Sequence, residues 1–241
     1  MALSDADRLN RARRFYKQAL AGPVGEGHGV LLDGRPARTA GGALLAAPTA
    51  ALAERLAAEW HAQADFIDFA FMPATRLAFT AIDRGEEPRA ALAAEVARYA
   101  GSDTLCYPAE GPRPLAERQA ALWTPWRDWA RDELGLVFEA APGPLHHAQP
   151  AATLAATEAL AQALPLFALT GLVFACGLYG STILGLAVQR GALDAVDAFE
   201  LSRVEEAYQA EQWGVDAEAE ARTAAQRTEA MMLRDWFAAL A

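Results

Sequence analysis

The chain has 241 residues, of which 53% are hydrophobic and 22% are charged, a globular composition and not that of a disordered protein. Its length suits one large domain or two small ones, and either can bury a core without disulfides. The formal net charge of −10 argues against a protein that mainly wraps nucleic acid or an anionic membrane. Lys17 is the only lysine, so the sequence has no Gly-Lys-Ser/Thr phosphate-binding loop.

The first part of the chain combines a helical pattern with a β-rich segment. Residues 4–20 carry apolar side chains at helical spacing after a Ser/Asp cap, which predicts a helix. Residues 30–32 then predict a strand, followed by tight turns at Asp33-Gly34 and Gly41-Gly42 and by an apolar segment over 44–47. We therefore expect a small antiparallel meander.

A helix and a short aromatic segment follow this meander. Pro48-Thr49 opens a helix that extends to about Gln63, with one apolar face that packs on the sheet. Residues 66–72 are short and rich in aromatic side chains, which predicts another strand that ends at Pro73. A short helix is predicted over residues 75–83.

From Pro88 onward the pattern is almost wholly helical. One helix is predicted around residues 92–99 and another over 115–123, and Thr124-Pro125 is typical of a cap and first position of a new helix that ends at Gly135. The composition changes near residue 85. We therefore predict an α+β protein with a β-rich N-terminal domain, residues 1–85, and a larger helical C-terminal domain, residues 86–241.

Residues 159–189 contain no charged side chain, and by length alone they are a candidate for a transmembrane helix. Proline and glycines interrupt the run, and residues 175–181 have the pattern of a helix stop followed by a new cap at Ser181. No basic cluster at one end orients insertion. The pattern favours two buried helices and no insertion into the membrane.

The charge is concentrated near the C-terminus. Residues 194–220 hold nine acidic residues and one basic residue, Arg203. Asp194 can cap a helix that ends at Gly214, and Glu206 lies three residues after Arg203, within pairing distance on a helix. Two interpretations remain open: a solvated acidic face, or a surface that matches a basic partner.

No catalytic or metal-binding pattern is present in the sequence. Cys106 and Cys176 are too far apart for a CxxC motif, and they are interpreted as reduced packing residues of a reducing compartment. His146-His147 lies in a loop without further ligands at metal-site spacing. The sequence therefore favours a binding protein over an enzyme, with no catalytic residues, no cofactor and no metal.

Short sequence pieces in a fixed order carry a family resemblance that spans roughly residues 13–225. These pieces are Arg14-Phe15-Tyr16, Leu32-Asp33-Gly34-Arg35-Pro36 with Thr39, Pro48-Thr49, Ala58-Glu59-Trp60 with Gln63, Met72-Pro73-Ala74-Thr75-Arg76-Leu77, Ala81-Ile82-Asp83, Ser102-Asp103-Thr104-Leu105-Cys106-Tyr107, Arg118-Gln119 with Trp123-Thr124-Pro125, Trp129-Ala130, Ser202-Arg203-Val204-Glu205-Glu206-Ala207-Tyr208-Gln209 and Trp213-Gly214. In this order they resemble the assembly chaperones of the F-type ATP synthase catalytic sector.

The resemblance implies a two-domain chaperone without enzymatic activity. Such a chaperone binds the ATP synthase α subunit and shields its β-facing surface until the α/β hexamer forms. In this family a glutamate of the Arg-x-Glu-Glu motif is essential, which is Glu205 in this chain, with Glu206 beside it as the adjacent candidate. We expect the partner-binding residues to be Glu205, Glu206, Arg203, Gln209 and Trp213.

Two alternatives remain at this point. One is a small-molecule enzyme that uses Glu205 or Glu206 as a general base, which requires a concave pocket and a raised glutamate pKa. The other is a membrane-associated assembly factor that inserts residues 164–189. The start of the sequence has no secretory signal, which favours the bacterial cytoplasm. We also expect a soluble monomer with no nucleic-acid partner, and the resemblance implies relatives in the mitochondrial matrix.

Overall fold

The protein is described by a computed structural model that covers residues 12–85, 89–143 and 145–241. The described residues form two compact units, one up to Gly85 together with Ala238–Ala241 and the other from Arg89 to Phe237. The first unit contains an antiparallel sheet, and the second is built from helices, so the predicted α+β class is confirmed. A domain boundary at residue 85 stays a prediction, because the first unit also takes in the last residues of the chain.

The sheet has four strands: β1 (Ala19–Val24), β2 (Gly27–Leu32), β3 (Arg35–Pro36) and β4 (Ala46–Ala47). β2 pairs antiparallel with each of the others, so β4 lies against β2 and does not continue beyond β3. The β2–β3 turn has Asp33 at φ 46° and Gly34 at φ 80°, the left-handed pair that a tight two-residue hairpin requires. This turn was predicted from the sequence.

The predicted helix over residues 4–20 is wrong wherever the chain is described, and residues 4–11 lie outside the described residues. Residues 12–18 are not helical, and β1 begins at Ala19. The amide of Arg14 donates to the carbonyl of Asp65 at 2.9 Å, and the amide of Ile67 donates to the carbonyl of Ala12 at 2.9 Å. This pairing with a distant segment keeps the backbone extended, so tertiary contacts override the helical spacing.

Helix α1 (Ala50–His61) packs on β1 and β2, as its apolar face predicted. Thr49 caps it by accepting from the amide of Leu52 at 3.2 Å. The strand predicted over residues 66–72 is wrong: Phe66 makes an isolated bridge to Arg13, and Phe69–Phe71 form a 3-10 turn. The carboxylate of Asp68 accepts from the amide of Ala70 at 3.0 Å, a local bond that competes with strand pairing.

The predicted short helix is present as α2 (Pro73–Arg84). Its first turn is capped from another helix, because the Glu59 carboxylate accepts from the amides of Ala74 at 2.8 Å and Thr75 at 2.7 Å. Burial raises the pKa of Glu59, and the hydrogen bonds from these groups oppose the rise. Glu59 therefore joins α1 to α2 within the first unit.

The second unit is helical throughout its regular structure. Its helices in the described residues are α3 (Arg89–Ala100), α4 (Arg113–Leu134), α5 (Ala151–Gln162), α6 (Leu166–Tyr179), α7 (Thr182–Gln189), α8 (Ala195–Ser202), α9 (Val204–Trp213) and α10 (Ala217–Leu240), of which the last ends in the first unit. Helix α3 packs on α5 and α6, while α7 packs on α4, α6 and α8.

The predicted break at Thr124-Pro125 is wrong, since α4 runs through Pro125 as one helix. A proline inside a helix costs about 3 kcal/mol, so other contacts must hold the helix. The guanidinium of Arg127 donates to the carbonyl of Leu105 at 2.5 Å and to the hydroxyl of Thr124 at 2.9 Å, and Trp123 is buried. Helix α4 ends at Gly135 with φ 69°, as predicted.

The uncharged run is divided as the sequence predicted. Helix α6 ends at Gly180, which has φ 61°, and Ser181 caps α7 by accepting from the amide of Leu184 at 3.1 Å. No helix in the described part of the chain is both long enough and apolar enough to cross a membrane.

Candidate partner-binding site

A groove of about 640 Å³ lies in the helical unit, and we call it the joint groove because it borders the joint between α8 and α9. Its walls come from the segment that follows α3, the middle of α4, the ends of α6 and α8, helix α9 and the middle of α10. The lining residues are Ser102, Thr104, Tyr107, Trp123, Leu178, Tyr179, Gly180, Ser202, Arg203, Glu205, Glu206, Gln209 and Gln226.

The joint at Arg203 divides what the sequence predicted as one helix from Asp194 to Gly214. The hydroxyl of Ser202 donates to the carbonyl of Phe199 at 2.7 Å, and the amide of Arg203 donates to the carbonyl of Glu200 at 3.2 Å, which closes a tighter last turn. Helix α9 then restarts with two glutamates in its first turn, where the helix dipole favours negative charge. The predicted cap at Asp194 and the predicted end at Gly214 are both observed.

Arg203 holds this joint against the C-terminal helix. Its guanidinium donates to Gln226 Oε1 and to Thr223 Oγ1, both at 3.3 Å, and lies 5.5 Å from the centre of the Phe199 ring. The side chain is 26% exposed, so it is largely packed while its charge stays near solvent. Arg203 therefore positions the start of α9.

The two glutamates of the joint groove differ in their partners. Glu206 pairs with Arg203 at 3.8 Å, as the sequence predicted. Glu205 is exposed, accepts a 3.3 Å hydrogen bond from the side-chain amide of Gln209, and forms no ion pair within the described residues. Glu205 is thus the carboxylate that faces the groove without a cation to neutralise it.

The wall of the joint groove that faces α9 is formed by residues 102–107, and it is held in place by the buried carboxylate of Asp103 and the hydroxyl of Thr104. Asp103 is fully buried and accepts from the amides of Leu105 at 3.0 Å and Ile183 at 2.9 Å. Burial raises the pKa of Asp103 to about 6, and the hydrogen bonds to its carboxylate limit the rise. The hydroxyl of Thr104 donates to the carbonyl of Gly180 at 2.8 Å. The wall is therefore tied to the α6–α7 turn.

Four of the nine acidic side chains over residues 194–220 form ion pairs with arginines in the described part of the chain. Arg118 of α4 binds Glu211 through two hydrogen bonds of 2.8 and 3.0 Å, and hydrogen bonding from Arg118 lowers the pKa of Glu211. Further pairs join Glu200 to Arg227 and Glu218 to Arg222. Paired and unpaired carboxylates are therefore interspersed along the acidic stretch, so its negative charge is concentrated at individual side chains.

Trp213 lies apart from the other predicted site residues. It ends α9 with 79% of its surface exposed, two residues before Val215, which is 60% exposed. The joint groove brings together Arg203, Glu205, Glu206 and Gln209, whereas Trp213 is not among the described residues that line it. The expected partner-binding set therefore splits into a groove and an exposed aromatic corner.

Sequence reasoning missed the residues that form the far wall of the joint groove. Ser102, Thr104 and Tyr107 lie about a hundred residues before Arg203, and Gln226 follows it on another helix. Spacing along one helix does not reveal such neighbours. The one available signal was that residues 102–107 belong to the pieces that carry the family resemblance.

The histidine pair makes local contacts. His147 Nε2 lies 3.0 Å from Glu139, and the hydroxyl of Tyr107 lies 3.3 Å from Nδ1 of His146. Among the described residues, no group of three or more His, Cys, Asp or Glu side chains is arranged to hold a metal ion. Both cysteines are free thiols in the core, and burial raises the pKa of Cys106 and that of Cys176, the latter to about 12.

Comparison with known proteins identifies the family. Residues 13–131 match the ATP12 chaperone protein family. Two structures of Atp12 from Paracoccus denitrificans, one with an aspartate-to-lysine substitution, share 41% identity over 94% of this chain and 96% of theirs, with a TM-score of 0.85. The Atu1473 protein of Agrobacterium tumefaciens shares 36% identity over 95% of this chain and 86% of its own, with a TM-score of 0.89. The chain therefore belongs to the ATP12 chaperone family, and its role is that of a chaperone in ATP synthase assembly and not that of an enzyme.

Proposed function

We propose that this chaperone binds the α subunit of the ATP synthase catalytic sector and covers its β-facing surface until the hexamer forms. The observation that carries the proposal is the exposed carboxylate of Glu205, which lines the joint groove and has no cationic partner among the described residues. Membership of the ATP12 chaperone family supports the assembly role.

The chemistry of the joint groove fits a basic side chain of the α subunit. Glu205 offers an unpaired carboxylate, and Gln209 holds one of its oxygens from the same face of α9. An arginine or lysine that enters the groove gains a charge-assisted hydrogen bond there. Neighbouring Glu206 adds negative potential even though it is paired with Arg203. The joint groove therefore favours a segment of the α subunit that carries a basic side chain.

Trp213 supplies the apolar part of the proposed surface. Trp213 is 79% exposed, close to the exposed Val215, and neighbouring exposed apolar side chains are typical of interaction sites. Tryptophan is also among the residues that dominate binding energy at interfaces. Val215 extends this exposed corner. We expect Trp213 and Val215 to pack against an apolar surface of the α subunit, while Glu205 binds a basic side chain of the same subunit.

Binding of the purified α subunit tests the proposal. We expect the wild-type chain to form a complex and to slow aggregation of the α subunit, and Glu205→Lys to weaken the complex at least about tenfold, as loss of a central interface contact does. Glu220→Lys is the matched control, because Glu220 is also an exposed glutamate of the acidic stretch but does not line the joint groove. Wild-type affinity in a folded Glu205→Lys variant would remove Glu205 from the site.

We further infer that the chaperone works as a monomer in the bacterial cytoplasm. Two free buried thiols support a reducing compartment, where disulfides do not form. Sedimentation at working concentration checks the oligomeric state, and a stable dimer would contradict it. Fractionation of cells checks the compartment, with recovery from the cytoplasmic fraction as the expected result.

A further inference from the structure

The N-terminal unit carries a second groove, of about 680 Å³, which we call the aromatic groove. Its lining is mainly apolar and includes Phe15, Tyr16, Trp60, Ile67 and Phe69. Phe69 contacts the Trp60 ring at 6.0 Å between centroids, and Trp60 contacts Tyr16 at 5.8 Å. Tyr16 and Trp60 are buried beneath the groove, whereas Phe15 and Phe69 are exposed to solvent.

The side chain of Phe15 is exposed to solvent, and hydrogen bonds hold the backbone on both sides of it. On one side of it, the Arg14 guanidinium donates to the carbonyl of Lys17 at 2.8 Å and to that of Tyr16 at 3.1 Å. On the other, the Tyr16 hydroxyl donates to the carbonyl of Trp60 at 2.7 Å. Phe15 between them is 72% exposed. Because the backbone on both sides is held, packing of another apolar group on Phe15 requires ordering of the phenyl side chain but not of the backbone.

Trp60 brings an unsatisfied donor to the same region. Its side chain lines the aromatic groove and is only 4% exposed, yet its indole N–H has no acceptor within the described residues. A buried donor without a partner is unfavourable, and such groups call for an explanation in each protein. This indole N–H is itself closed off from solvent, so it does not serve as a contact for a bound segment.

The rim of the aromatic groove is positive although the chain as a whole is acidic. Arg35 and Arg38 line the groove and are exposed, and Arg35 forms no ion pair in the described part of the chain. The Asp33 carboxylate, which also lines the groove, accepts from the amides of Gln18 at 2.8 Å and Lys17 at 3.0 Å, and these bonds lower its pKa. The ionised Asp33 carboxylate is therefore engaged by the backbone. Arg38 donates one hydrogen bond to the carbonyl of Gly42 at 2.7 Å, and its remaining donors, together with those of Arg35, can bind an anionic partner.

We propose that the aromatic groove docks an extended segment of a partner protein in which apolar side chains alternate with carboxylates. The exposed rings of Phe15 and Phe69 fit the apolar side chains, and Arg35 and Arg38 fit the carboxylates. A single-stranded nucleic acid also stacks on aromatic rings beside arginines, but the net charge of −10 opposes a polyanion far more than a short acidic peptide.

Fluorescence anisotropy with labelled peptides tests this docking site on the full chain. The first probe alternates leucine and phenylalanine with glutamate, the second replaces glutamate with lysine, and the third replaces the apolar residues with serine. We expect the first probe to bind at least about tenfold more tightly than the other two. The second lacks the carboxylates that would bind Arg35 and Arg38, and the third lacks the apolar side chains that would pack on the aromatic rings. Equal binding of all three probes, or of none, would overturn the proposal.

Matched variants locate the binding. Arg35→Glu combined with Arg38→Glu, and separately Phe15→Ser, should each weaken the first probe about tenfold. Phe71→Ser is the control for Phe15→Ser, because Phe71 is 75% exposed and is not among the described residues that line the groove. An equal loss in the two phenylalanine variants would contradict the assignment.

Two other occupants give distinct results. Binding of a single-stranded oligonucleotide at a lower concentration than the first probe would show a nucleic-acid site and refute the proposal. Binding of the first probe only after removal of residues 1–11 would make the chain's own N-terminal segment the occupant and would also refute it. Tight binding of the first probe to the intact chain, lost in the groove variants, supports it.

Discussion

Replacing Asp103 with asparagine tests how a buried carboxylate holds the wall of the joint groove. Asp103 has no exposed surface, and its two oxygens accept amide hydrogens from residues at both sides of the wall, Leu105 and Ile183. An asparagine keeps the shape but offers one acceptor oxygen in place of two. We expect it to leave one amide without a good acceptor, at a cost of about 1–3 kcal/mol.

The raised pKa of Asp103 makes the free energy of unfolding depend on pH. An aspartate in an unfolded chain has a pKa of about 3.9, whereas burial raises the pKa of Asp103 to about 6 in the folded protein. The folded state therefore binds the proton of Asp103 more tightly than the unfolded chain does. The stabilisation that comes from this bound proton is fully present at acid pH and is lost as the pH rises through the folded pKa of about 6. A difference of about 2 units corresponds to about 3 kcal/mol in total, of which about 1 kcal/mol falls between pH 5 and pH 7.

Urea unfolding of the wild type and of Asp103→Asn, at a series of pH values, measures this effect. The quantity of interest is the difference between the two free energies of unfolding, in which all other titrating groups cancel. We expect the wild-type advantage to shrink by about 1 kcal/mol from pH 5 to pH 7. A wild-type advantage that grows with pH would show that the ionised carboxylate is the favoured form and would refute the reasoning.

Three further predictions concern the core and its helix contacts. Glu59→Ala should lower the free energy of unfolding by about 1–2 kcal/mol because two amides lose their acceptor, while Glu54→Ala, exposed on the same helix, should leave urea unfolding nearly unchanged. Gly171→Ala should cost about 1–3 kcal/mol in the same assay, since the added carbon would lie 2.7 Å from an indole nitrogen of the C-terminal helix. Cys106 and Cys176 should react with a thiol reagent slowly in the native protein and rapidly in urea, because burial raises both thiol pKa values; rapid labelling of the native protein would contradict this.

The sequence predicted best those features whose cause is local. The turn at Asp33-Gly34 requires two left-handed residues, and the stop at Gly180 with a cap at Ser181 requires a glycine followed by a short hydroxyl side chain. Each of these signals acts within a few residues. They appear in the structure where the pattern placed them.

The wrong predictions share a different cause. Residues 12–18 are extended because residues 65 and 67 pair with them. Helix α4 passes Pro125 because Arg127 donates to the carbonyl of Leu105 and the indole of Trp123 donates to the carbonyl of Leu201. In both cases a partner distant in sequence overrides a local preference. A single sequence does not show which distant residues meet.

The candidate site shows the same division. Local spacing identified the pairing of Glu206 with Arg203, and the resemblance selected Glu205. Which carboxylate lacks a cation depends on the surroundings of the joint between α8 and α9, and on arginines of α4 and α10 that neutralise their neighbours. Three-dimensional contacts therefore give a physical reason to prefer Glu205 that spacing does not contain.

Competition between this chaperone and the β subunit tests the central claim most directly. Purified α subunit is first bound to the chaperone, and labelled β subunit is then added while the composition of each complex is followed by size-exclusion chromatography. Shielding of the β-facing surface predicts that β displaces the chaperone or is excluded by it, so that no complex contains all three proteins. A stable complex of chaperone, α and β together, or no complex between the chaperone and α at all, would contradict the account.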